Sequence, residues 1–234
     1  MRRPPQKEEL RHLTRSLRGI LELERSFGIE TVVGGEGRKK EKAPVLHGRN
    51  EMELLREEVS GCVKCPLHRG RTQTVFGEGS PTAKLMFVGE APGMEEDRQG
   101  RPFVGQAGKL LTKIIESIGL TREEVYIANV IKCRPPGNRP PLPEEVHSCT
   151  PYLSKQIALI RPRLICTLGK HATSVLVGKE EPISALRGQF YEYEGIQIMP
   201  TFHPAYLLRN PSAKRIVWED MKKIKAALEK ISGS

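Results

Sequence analysis

Apolar residues fall along this chain in two patterns: short unbroken runs bounded by Gly, Pro or Asn, and longer stretches with an apolar position every third or fourth residue. The runs are Leu85-Met86-Phe87-Val88, residues 125–131 and residues 163–168. Continuous apolar character over so few residues predicts strands buried on both faces, as in a parallel sheet. A hairpin-like pair of short strands is expected over residues 191–200, turning at Gly195. Between the runs, the spacing predicts helices from Asn50 through EMELLREEVSGC, over 109–118, over 144–160 and over 212–231, with a strand-to-helix turn opening at Gly169. Alternating strands and helices predict the α/β class, as a three-layer α/β/α domain with a mainly parallel central sheet.

The amino-terminal segment follows another rule. Over residues 6–26, Leu10, Leu13, Leu17, Ile20, Leu21 and Leu23 fall largely on one stripe, which predicts a helix whose apolar face docks on its host domain. The glycines at 34, 35 and 37 and the basic cluster RKKEKAP read as a linker. Residues 1–50 are therefore expected to be a basic extension of helix plus linker, and residues 51–234 the main domain. A net charge of +10 over 234 residues favours a polyanionic partner, and nucleic acid is preferred to anionic lipid. No run of about 18 apolar residues is present, and the N-terminus lacks the apolar region of a signal peptide, so a cytoplasmic protein without a membrane partner is expected.

Three strand ends carry the chemistry. The first run breaks into Gly89-Glu90-Ala91-Pro92-Gly93, followed closely by Pro102-Phe103-Val104-Gly105; the second carries Asn129; and His203 stands before Pro204. Ligands of open α/β sheets collect outside the carboxyl ends of strands, so these groups are candidates for one pocket. Of five cysteines, Cys62 and Cys65 form a C-x-x-C pair in a turn-like setting, and Cys133 and Cys149 flank a loop with five prolines in ten residues. Cys166 sits within an apolar run and reads as packing. The other four are candidate metal ligands, and by ligand type alone zinc and an iron-sulfur cluster are both open.

VGEAPG, PFVGQAG, NVIKCRPPGNRPP and HPAYLLR, with the upstream C-x-x-C, resemble the motifs of the family 4 uracil-DNA glycosylases, the iron-sulfur type. The resemblance runs over residues 59–228 in the family's motif order. It implies hydrolysis of the N-glycosidic bond of uracil in single- or double-stranded DNA, leaving an abasic site and starting base excision repair, after the base is flipped into a pocket. It further implies that Phe103 stacks on uracil, that the Asn129 amide meets O4 and N3-H, and that His203 donates to O2. Glu90, Ala91 and Pro92 would border the base, with Glu90 catalytic beside Asn129 and His203. The aspartate of better-known uracil-DNA glycosylases is replaced by Ala91, so Glu90, Glu96 and Asp97 remain candidates to position water. A [4Fe-4S] cluster on Cys62, Cys65, Cys133 and Cys149 is implied, with Arg134, Arg139, Leu208 and Arg209 toward DNA. Residues 98–102 contain no histidine where one relative type uses it for covalent trapping, so ordinary turnover by a monofunctional, monomeric enzyme is expected. The reading from another class is a non-catalytic iron-sulfur or zinc module that binds nucleic acid on the same scaffold.

Overall fold

The computed structural model describes residues 51–232. The helix expected over residues 6–26 and the linker after it lie outside the described residues. Helix α1 (Glu51–Ser60) begins with Glu51 and Glu53, which favour the positive end of the helix dipole, and gives way to Gly61. Then come β1 (Glu78–Gly79), β2 (Leu85–Gly89), α2 (Met94–Gln99), α3 (Gln106–Ser117), β3 (Tyr126–Asn129) and α4 (Pro143–Ile160). The carboxyl-terminal half adds β4 (Leu164–Leu168), α5 (Lys170–Val177), α6 (Ile183–Leu186), β5 (Tyr191–Tyr193), β6 (Ile196–Thr201), α7 (Pro204–Arg209) and α8 (Lys214–Ser232).

The six strands form one sheet in the order β1-β3-β2-β4-β6-β5. The inner four are mutually parallel, and the two edge strands are antiparallel to their neighbours. Side chains alternate between two cores. Met86, Val88, Ala128 and Ile165 join Val59, Leu153, Ile157 and Ala172 from α1, α4 and α5. Phe87, Ile127, Leu164 and Met199 join Leu111, Ile115, Val217 and Met221 from α3 and α8. The three-layer α/β/α expectation holds, because strands without a polar face must be covered on both sides. The turn between β5 and β6 uses Glu194 and Gly195 at φ 49° and 80°, the left-handed pair that a two-residue hairpin requires.

The boundaries differ in instructive ways. The run over 125–131 supplies only four strand residues, because after Asn129 the chain bends to follow the loop beyond β2: Val130 N donates to Gly89 O and Ile131 N to Glu90 O. The β1 edge strand has two residues, too few to leave a pattern. Helix α3 starts three residues before the expected Lys109, since Gly105 already serves as its cap. The helix expected from Ser212 opens instead as a 3-10 turn, Pro211–Ala213, before α8.

One buried charge fixes the carboxyl end of β6. Asp220 of α8 is fully buried; it accepts from Thr201 Oγ1 at 2.6 Å and from Arg187 Nε at 2.9 Å, and pairs with the Arg187 Nη2 as well. The pair anchors the strand end two residues before His203. Removing one partner of a buried pair leaves an uncompensated charge, so Arg187→Ala is expected to lower unfolding free energy by about 3 kcal/mol in urea titration. Arg187→Lys should recover part of the loss, and equal stability of Arg187→Ala and the parent would contradict this account.

Candidate active site

The parallel register sets Gly89 of β2 beside Asn129 of β3. A Cβ on Gly89 would stand 2.5 Å from Asn129 Oδ1 and 2.5 Å from Phe103 Cζ, so the close packing of these groups requires glycine there. Asn129 is 1% exposed, and its Oδ1 is buried without a hydrogen-bond partner. Such an oxygen costs about 1–3 kcal/mol in lost solvation, which marks it as waiting for a donor.

Phe103 holds its ring over this corner on a left-handed backbone, φ 53°. The strain is held by Arg122, whose Nη1 donates to Phe103 O at 3.2 Å and Nη2 to Pro102 O at 2.8 Å while the guanidinium pairs with Glu78. Helix α3 closes on the same carbonyl: a Cβ on Gly108 would lie 1.9 Å from Phe103 O.

His203 caps α7, its Nδ1 accepting from Ala205 N at 3.1 Å. A neutral imidazole that accepts at Nδ1 carries its proton on Nε2 and is a donor there. Burial lowers its pKa to about 4; the Arg209 charge pushes the same way and Glu96 opposes it. The His203 and Phe103 rings lie 5.6 Å apart, tilted by 33°.

The three acids have separate fates. Glu96 Oε1 accepts from Val104 N at 2.9 Å and Gly105 N at 3.0 Å, and Oε2 from Gly93 N at 3.1 Å, so its carboxylate clamps the two glycine-bounded loops together. Asp97 is buried and takes Thr72 N on both oxygens, at 3.0 and 3.1 Å. Glu90 has only His171 as an ionic neighbour among the described residues, with Nε2 to Oε2 at 3.8 Å. Burial raises its carboxyl pKa, and His171 counters part of that.

Glu90, Ala91, Pro92, Phe103, Asn129 and His203 all line one open cavity of about 590 Å³, with Arg139 and Arg209 also on its wall. The side chains expected toward DNA divide. Arg139 grips Glu145 with both nitrogens, at 2.7 and 2.9 Å, so its guanidinium pins the proline-rich loop to α4. Arg134 lies in an adjoining cleft of about 230 Å³, its Nε on Asn138 Oδ1 at 2.8 Å. In α7, Leu207 is 1% exposed and packs, whereas Leu208 is 45% exposed. Tyr206, stacked on Phe202 with centroids 4.8 Å apart, lines the cavity and was not anticipated; an aromatic at helical spacing beside two leucines gives no signal of its own.

The cysteines make a second site. Cys62, Cys65, Cys133 and Cys149 line one small enclosed cavity, and all are unpaired thiols. Arg71 Nη1 donates to Cys133 Sγ at 3.2 Å, and Lys132 N to Cys149 Sγ at 3.2 Å. Burial raises the thiol pKa values of Cys65 and Cys133, and that of Cys149 to about 11. Four soft donors around one cavity, with two nitrogen donors on their sulfurs, suit thiolate-bound metal chemistry. Among the described residues no three His, Cys, Asp or Glu side chains are grouped as a single-ion site. Cys166 is fully buried in the core on the other face of the sheet. Arg71 and Lys132 were not anticipated, since a basic residue near a C-x-x-C or beside a cysteine is common on any surface.

The description "Uracil DNA glycosylase superfamily" matches residues 76–222. The chain is 50% identical over 190 residues to the type-4 uracil-DNA glycosylase of Thermotoga maritima, covering 79% of this chain and 99% of that protein. It is 48% identical over 188 residues to the type-4 uracil-DNA glycosylase of Saccharolobus solfataricus, covering 76% of this chain and 87% of that one. A type-5 uracil-DNA glycosylase of Pyrobaculum aerophilum is further off, at 29% over 181 residues, 68% of this chain and 79% of the relative. With a family match across more than half its length and type-4 relatives near one-half identity, the chain belongs to the uracil DNA glycosylase superfamily, in its type-4 branch.

Proposed function

We propose that the protein is a monofunctional uracil-DNA glycosylase that hydrolyses the N-glycosidic bond of uracil in single- or double-stranded DNA and leaves an abasic site for base excision repair. The observation that carries this reading is the buried, unpartnered Asn129 Oδ1 on the wall of a cavity shared with Phe103 and His203. Uracil offers N3-H to that oxygen and O4 to the same amide; cytosine presents the reverse pattern. Phe103 stacks on the flipped base. As the glycosidic bond breaks, its electron pair moves onto the base, and His203 Nε2-H meets the charge growing on O2. Glu90, the one acid of the three whose oxygens are not spent on backbone amides, faces the incoming water or the oxocarbenium-like sugar. Water supplies the new C1′ hydroxyl, its other proton passes by way of the Glu90 carboxylate to solvent or to the departing uracil anion, and no covalent adduct with the protein forms. Leu208 and Arg209 contact the DNA where the base has left, and Arg134 meets phosphate beside them.

The four thiols are read as ligands of a [4Fe-4S] cluster, whose chemistry in a hydrolase is structural because no electron is transferred. Residues 51–234 form the catalytic domain and residues 1–50 its basic extension, in a protein that works as a monomer in the prokaryotic cytoplasm. No helix among the described residues is long and apolar enough to cross a membrane. A non-catalytic binding module is not favoured, because the type-4 relatives at 43–50% identity are named glycosylases.

The direct test is alkali-induced cleavage of oligonucleotides carrying one uracil, with no metal added; an iron-replete protein that binds but does not release uracil would overturn the reading. His203→Ala is expected to lower kcat about 100-fold, the scale of removing one preorganised donor, and Asn129→Ala to abolish discrimination against cytosine. Neutral His203 is the donor and its pKa is about 4, so no activity limb assignable to it appears between pH 8 and 5. The acid limb belongs instead to Glu90: its carboxylate is the active form, its pKa is raised by burial, and activity falls as pH drops through that raised value. Glu90→Gln should lower activity and erase the limb, whereas a limb that persists in this variant would reassign the water-positioning role. Purified protein is expected to be brown with about four irons per chain, and Cys149→Ser to lose the colour; zinc in colourless protein would remove the cluster.

A further inference from the structure

We infer that Lys132 is a positioning residue that couples the four-thiol site to the base-reading amide of Asn129. The inference rests on the proposal that Asn129 faces uracil and the four thiols hold a metal group. Lys132 touches both sites at once. Its backbone N donates to Cys149 Sγ at 3.2 Å, and the residue lines the thiol cavity. Its Nζ donates to the backbone oxygen of Asn129 at 2.8 Å and to Gln156 Oε1 at 2.7 Å.

Gln156 extends the connection. It stands on α4, the helix that carries Cys149, and its Nε2 donates to Phe76 O at 2.9 Å and Tyr126 Oη at 3.2 Å. Tyr126 opens β3 and Asn129 closes it, so one helix holds both ends of the strand that presents the amide. The network is buried throughout: Lys132 is 1% exposed and Gln156 fully buried.

A charge taken out of water needs an opposing charge close by. Among the described residues no carboxylate is paired with Lys132. Metal-held thiolates would supply that negative charge from the cavity wall. Arg71, on Cys133, adds a second cation to the same set. The thiolates of a bound metal group would thus support base recognition without electron transfer: their charge would hold the Lys132 ammonium, which donates to the Asn129 carbonyl and keeps the amide in its place beside Gly89.

The test is a double-mutant cycle read by uracil affinity in ligand-observed NMR titration, with visible absorbance and iron content recorded alongside. Lys132→Met keeps the stem and removes the donors. It is expected to retain iron and weaken uracil binding about tenfold, the size of one lost charged hydrogen bond. In an Asn129→Ala background the same change should cost nothing further, which a general loss of packing would not achieve. Stripping iron from the wild-type protein should weaken uracil binding to the same extent, and should add nothing in Lys132→Met. If Lys132→Met does not fold, Lys132→Gln, which keeps a donor without the charge, is carried through the same cycle. Unchanged uracil affinity in the variant, or an equal loss in both backgrounds, would overturn the coupling. A wild-type protein that binds no uracil would instead overturn the reading of the pocket.

Discussion

A carbonyl oxygen buried without a donor is costly, and the site is built so that Asn129 Oδ1 stays that way. The amide oxygen is packed at the corner where Gly89 and Phe103 meet, and no protein donor among the described residues reaches it. Each support can be traced. Gly89 leaves room that a single methyl group would fill, Arg122 and Gly108 hold the strained Phe103 backbone, and Lys132 grips the Asn129 main chain. The cost is repaid when a ligand brings an N-H into the gap, which is how a rigid amide becomes selective.

The same economy separates the acids. Four carboxylates follow one strand within a few residues, yet two are spent on backbone amides and a third, Glu95, pairs with Arg98: Glu96 staples the loops that carry Pro92 and Phe103, and Asp97 ties the Thr72 segment to α2. Glu90 is left half-buried at the cavity with a raised pKa. On the wall of the same cavity, His203 is kept neutral by burial and fixed in one tautomer by its own helix cap. A neutral donor and a carboxylate therefore share the pocket without neutralising one another.

Much of this was legible in the sequence. Buried parallel strands announce themselves as apolar runs, and the residues where those runs break, Glu90 and Asn129, are the ones at the cavity. His203 was visible through the proline that follows it. The supports were not legible, because they depend on register and on distant side chains. Nothing local distinguishes Arg122 from any arginine at a loop end, or Lys132 from a solvated lysine, although one clamps Phe103 and the other is among the most buried residues in the chain. Arg139 was legible only in part: in a proline-rich basic loop it reads as a phosphate contact, and nothing local shows that its planar fork also meets the buried carboxylate of Glu145.

The central claim, that Asn129 Oδ1 awaits the N3-H of uracil, is tested most directly by comparing the affinities of uracil and N3-methyluracil by calorimetry. The two differ at the one atom that would supply the missing donor. Uracil is expected to bind and N3-methyluracil to lose at least about tenfold in affinity, with the difference vanishing in Asn129→Ala. Equal binding of the two bases by the wild-type protein would contradict the account.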